Sequence, residues 1–129
     1  GRTRVNTVYE DRLTIMTEPH RRMIKWLENA GYELMEEVPF PPYQADIYLP
    51  DCHAVIEVDG PQHGKTADAK RDHHLMLTYN LHVMHVRSED LTGGQRKDHV
   101  LHRVQEFTDY AVQDKHERFE AVKDRMPWL

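Results

Sequence analysis

Three acids, Asp46, Glu57 and Asp59, stand at spacings that strands turn into neighbours. Ala45, Ile47 and Leu49 alternate with Asp46 and Tyr48, and Ala54-Val55-Ile56-Glu57-Val58-Asp59 is strongly β-prone, so the segment reads as a hairpin around Pro50-Asp51-Cys52-His53. A four-residue loop over 50–53 places Leu49 opposite Ala54 and Asp46 opposite Glu57. Side chains alternate along a strand, so Asp59 joins Glu57 on the same face. Three clustered carboxylates repel one another and need compensation. A hard divalent cation supplies it: Mg²⁺ (or Mn²⁺) takes oxygens from one or two carboxylates and completes its shell with water and phosphate. The chemistry this offers is metal-assisted hydrolysis of a phosphodiester, with Asp46, Glu57 and Asp59 as candidate ligands. Taken singly, each acid also reads as a solvated strand residue, an edge charge or a turn former before Gly60. Taken together inside an apolar strand, that ordinary reading weakens, because buried carboxylates are seldom left without a partner.

His63 follows in Gly60-Pro61-Gln62-His63-Gly64 and is the candidate general base, since an imidazole titrating near 6.5 suits accepting a proton from water. Lys65, Lys70 and Arg71 come next as candidate phosphate contacts. For Lys70 a solvated helix face shared with Asp68 and Asp72 is an equally good reading. Arg21, Arg22 and Lys25 offer a track for a nucleic-acid backbone, although an ordinary exposed face is simpler there.

The elements that must position these groups are legible from periodicity. Residues 1–16 are polar and read as an arm or short helix. Thr17 is a plausible N-cap for a helix carrying Met23, Trp26, Leu27 and Ala30 at helical spacing, stopped by Gly31. Tyr32, Leu34 and Val38 suggest a strand that ends at the breaker run Pro39-Phe40-Pro41-Pro42. A helix is expected from about Ala67 to Tyr79, a strand over 81–86, and a last helical region after Gly93-Gly94 in which Val100, Val104, Phe107 and Ala111 recur. Beyond Gln113 the chain is highly charged until Met126-Pro127-Trp128-Leu129.

With 129 residues the chain suits a single domain over 1–129, its core at about 17–91 and a C-terminal helical region over 95–125. No apolar run approaches the ~20 residues of a membrane span, so no membrane partner is expected. Net charge is −5, which argues against coating nucleic acid through a uniformly basic surface, so a polyanion must be gripped locally. The single cysteine, Cys52, excludes an internal disulfide and any Cys-based zinc site, and points to a reducing, cytoplasmic setting in a bacterium or phage-infected host cell. Gly1 in place of methionine points to processing or excision from a longer protein, with a missing partner domain as one expectation.

Glu18 on a helix, Gln44-Ala45-Asp46 on a strand, Ile56 to His63, and Asp68, Arg71-Asp72 and Leu75 on a helix together resemble the PD-(D/E)XK nuclease superfamily, over about residues 17–91. Within it the pattern is nearest the very-short-patch-repair endonucleases and the phage homing endonucleases whose sites use Glu, Asp, His and Asp. The resemblance implies an α/β, restriction-endonuclease-like core: a mixed sheet of about four strands flanked by helices in the order αβββαβ. It also implies Asp46 as metal ligand, His63 near the attacking water, Glu18 supporting from the first helix, and Asp68 or Asp72 as an additional acid. One departure is that the lysine expected two residues after the second acid is Asp59, so that Lys65 or Lys70 substitutes for it or His63 does the work. Glu57 to His63 is also similar to RAP domains, RNA-associated modules of the same fold. The expectation is thus a Mg²⁺-dependent endonuclease or nickase acting on DNA, working as a homodimer or with an additional DNA-binding domain. Its rivals are a catalytically silent RNA-binding module and, last, a structural or inhibitory protein.

Overall fold

Two hydrogen bonds close the first helix, α1 (Glu18–Asn29): Gly31 N–H to Glu28 O at 3.0 Å and Tyr32 N–H to Leu27 O at 3.0 Å. Gly31 carries φ +94°, the left-handed geometry that this helix ending requires and that glycine adopts without penalty. The computed structural model describes residues 18–61 and 65–128, less the side chains of residues 65 and 66. The N-terminal arm, the expected N-cap Thr17, the candidate base His63 and the side chain of Lys65 lie outside the described residues.

Four strands follow in one sheet of order β1-β2-β3-β4: β1 (Met35–Phe40), β2 (Tyr43–Leu49), β3 (Ala54–Asp59) and β4 (His82–Arg87). β1 runs through Pro39 instead of ending before it, and only Pro41-Pro42 form the turn. Proline is tolerated there because β1 is an edge strand, bonded on one side only. β2 and β3 pair antiparallel with Ile47 opposite Ile56 and Leu49 opposite Ala54, the register expected of a loop over 50–53. β3 and β4 are parallel, so a crossover must join them, and α2 (Lys65–Tyr79) provides it. The result is the mixed four-stranded α/β core that the sequence pattern implies.

Each sheet face has its own core. α1 and α3 (Lys97–Ala111) cover Ile47, Leu49, Ile56, Met84 and Val86 on one face. α2 and the C-terminal segment cover Tyr48, Val55, Leu81 and Val83 on the other. The charged stretch after Gln113 is part of that second layer. It forms α4 (Lys115–Val122), and Trp128 returns to stack edge-on against Phe40 while its indole N–H donates to Pro39 O at 2.9 Å.

Two polar groups tie the layers together. Arg118 of α4 donates to the carbonyls of His53 (2.8 Å), Asn80 (2.7 Å), Cys52 (2.8 Å) and Ala111 (2.6 Å), while its Nε meets Asp114 at 2.8 Å. A guanidinium suits this because its fixed fork reaches several acceptors at once. His53 is fully buried: its Nε2 meets the Tyr79 carbonyl at 2.7 Å, so that nitrogen carries the proton, and Nδ1 accepts from Tyr48 OH at 2.8 Å. Burial pushes the His53 imidazole down to about 4, with the charges of Arg118, Lys115 and His82 adding to the effect against the opposing Tyr79 bond.

Arg118→Ala strands four carbonyls and is expected to cost about 3 kcal/mol or more of stability by chemical denaturation, with Arg118→Lys recovering only part. The His53 pKa is lower in the fold than in the unfolded chain, so unfolding takes up a proton below 6.5. Its contribution is therefore whole above pH 6.5 and lost as pH falls toward 4, on the order of 2–3 kcal/mol. Denaturation midpoints across that window should fall with pH in the native chain and fall less steeply in His53→Gln.

Candidate active site

The β2–β3 ladder stops at Ile47 and Ile56, and side chains take over where it stops. The Asp46 N–H donates to Glu57 Oε2 at 2.9 Å, and the Val58 N–H donates to Asp46 Oδ2 at 2.8 Å. Each carboxylate thus has one oxygen fixed by the backbone of the opposite strand. The strands part with their N–H groups satisfied, and two acids sit across the opening.

Glu57 is 3% exposed. Burial, and next to it the charge of Asp46, push its carboxyl up to about 7 against the opposing pull of the Arg71 guanidinium and the Asp46 N–H. Arg71 reaches in from α2, its Nε donating to Glu57 Oε1 at 2.8 Å and a terminal nitrogen bonding the same oxygen. That terminal nitrogen also donates to Gln44 O at 2.5 Å, and the guanidinium carbon lies 5.3 Å from the centre of the Tyr43 ring.

One residue further along α2, Asp72 meets a group without an assigned role in the sequence pattern. His85 of β4 is in register with Glu57 and stands between two acids, with Nδ1 2.8 Å from Asp59 Oδ2 and Nε2 2.6 Å from Asp72 Oδ2. A carboxylate accepts, so the arrangement favours the doubly protonated ring, which can donate from both nitrogens. Burial alone would lower its pKa, but the hydrogen bonds and charges of Asp59 and Asp72 outweigh it and hold it above the ordinary value.

Glu57 therefore meets Arg71, and Asp59 and Asp72 meet His85, while Asp46 beside Glu57 is bonded by the Val58 N–H. Among the described residues no three carboxylate, imidazole or thiol groups converge closely enough to hold a metal ion. Pairing arithmetic on β2 and β3 places the acids but not the basic groups that α2 and β4 direct onto them. One donor remains suited to a hard cation, because among the described residues nothing bonds Asp46 Oδ1, and Mg²⁺ commonly takes only one or two protein carboxylates.

The remaining sequence candidates lie elsewhere. Glu18 is exposed at the start of α1, where it pairs with Arg21 at 3.5 Å, and no described contact joins it to Asp46. Arg22 is committed to the carbonyls of Leu91 (2.8 Å) and Gly93 (3.1 Å). With Lys25 and Trp26 these residues line a surface groove of about 330 Å³. Lys70 is exposed on α2, and Asp68 is half-buried in its first turn.

The chain shares its fold with the catalytic domain of homing endonuclease I-Bth0305I. The two superpose with a TM-score of 0.61 at 19% identity, over 75% of this chain and 99% of that one. No family model and no curated protein matches the chain. No helix among the described residues is long and apolar enough to cross a membrane.

An imidazole clamped in this way should titrate above 6.5 by NMR, and Asp72→Asn should bring its midpoint down. A folded-state pKa above the unfolded one stabilises below 6.5, and that contribution fades as pH rises through the folded value. A His85 midpoint at or below 6.5 would contradict the clamp.

Proposed function

We propose that this chain is an endonuclease or nickase domain that hydrolyses phosphodiester bonds in DNA. What carries the reading is the pair Asp46 and Glu57, held across a strand opening by backbone N–H groups and carried on a fold shared with a homing endonuclease catalytic domain. The PD-(D/E)XK pattern of the sequence, nearest its very-short-patch-repair-like branch, supports it.

In this reading Asp46, Glu57 and Asp59 would hold a divalent ion, Mg²⁺ or Mn²⁺, with Asp46 Oδ1 the oxygen that the strands leave open. When bound, the ion supplies charge to the phosphoryl oxygens and lowers the pKa of water. The residues of the chain do the rest. The Val58 N–H fixes the Asp46 carboxylate so that it cannot rotate away. His63 is the proposed base that takes the proton of the attacking water. His85 holds Asp59 and Asp72 in place, and so fixes the end of β3 against α2. Arg21 and Lys25 on α1, with Lys65 and Lys70, are the proposed contacts to the phosphate backbone. A homodimer or an additional DNA-binding domain would supply the further contacts that a chain of net charge −5 lacks.

One observation favours a second reading. Because Glu57 is already paired with Arg71, a catalytically silent nucleic-acid-binding module, RNA included, accounts for the same fold without turnover. Plasmid nicking in Mg²⁺ or Mn²⁺ separates the two. The enzyme should cut, Asp46→Ala should lower the rate roughly 100-fold or more, and His63→Ala should also be impaired. Binding of RNA or DNA with no cleavage in either metal would support the silent module.

A further inference from the structure

Of the four oxygens on Asp46 and Glu57, the strands claim two. Asp46 Oδ2 belongs to the Val58 N–H and Glu57 Oε2 to the Asp46 N–H, leaving Asp46 Oδ1 and Glu57 Oε1 as the oxygens available to a cation. Oε1 already has one, the Arg71 guanidinium. We infer, on the nuclease reading above, that Arg71 is the resident counter-ion of the Asp46–Glu57 pair and competes with a divalent cation for Glu57 Oε1.

Three features support a replaceable counter-ion over a permanent strut. A buried carboxylate beside a second acid is costly without a cation, so the ion-free state needs Arg71. In the same pose the guanidinium also contacts the Gln44 carbonyl and the Tyr43 ring, partners that would remain to it if its bonds to Glu57 opened. Finally, the Arg71 side chain is 21% exposed against 5% for Glu57, so the cation has solvent on one side while the acid does not. A divalent ion on Oε1 would repel the guanidinium, and a guanidinium retained by Gln44 and Tyr43 would leave that oxygen free together with Asp46 Oδ1.

The test is calorimetric titration of the full chain with MnCl₂, without nucleic acid, comparing the native protein with Arg71→Gln. Competition predicts Mn²⁺ binding at least tenfold tighter in Arg71→Gln, and a thermal stability lower than native without the ion but recovered at saturation. Equal or weaker binding overturns it. The native protein gives a second readout that does not depend on the variant folding: on titration with MgCl₂ the Arg71 Nε–H NMR signal should move saturably as its bond to Glu57 opens. A signal that stays fixed while the ion saturates also overturns the inference. If neither protein takes up the ion, the metal-dependent nuclease reading fails with it. Equal uptake together with intact DNA cleavage sinks the competition alone.

Discussion

Where β2 and β3 stop exchanging backbone hydrogen bonds, two carboxylates take up the rungs, and the arrangement of the site depends on that substitution. A sheet that opens must satisfy its N–H groups, and water does so in most proteins. Here Asp46 and Glu57 do it for each other's strands, which ties one oxygen of each acid to the opposite backbone. The cost is electrostatic, since two acids brought together in a buried setting need positive charge nearby.

That charge comes from two directions, and both depend on the crossover. A parallel β3–β4 pair requires a helix to carry the chain back across the sheet. The helix lies over the acids, so consecutive residues Arg71 and Asp72 meet Glu57 and His85. The same connection that completes the sheet therefore supplies one cation directly and fixes the second. Placing the site on strands and a helix, with each member held by a second group, gives it the rigidity that precise chemistry needs.

Much of this was legible in the residues. Alternation at 45–49 and 54–59 with a four-residue loop determined the register, and with it the meeting of Asp46 and Glu57. Acids within an apolar strand marked a candidate site, and Arg71 and Asp72 stood out on the helix that follows. His85 was harder to read. Its strand was clear, but its position opposite Glu57 follows only once β4 is known to be parallel to β3, a tertiary fact that local periodicity does not contain. Pairing of charges was also out of reach, because Arg71 finds Glu57 across 14 residues of chain and a change of element. Pro39 misled in the usual way: a breaker in isolation, it is harmless on an edge strand. The run after Gln113 read only as highly charged, because a half-buried arginine such as Arg118 is silent in a hydropathy pattern.

Arg118 also bears on the order of events during synthesis. All four strands have been made by residue 87, yet the carbonyls of Cys52, His53 and Asn80 receive their shared guanidinium only when α4 is present. After β4 the chain still has to supply α3, which covers one face of the sheet, and α4, whose guanidinium fastens the loop between β2 and β3 at the end remote from the acids. A chain cut short before α4 lacks that fastening, although it carries every acid of the candidate site.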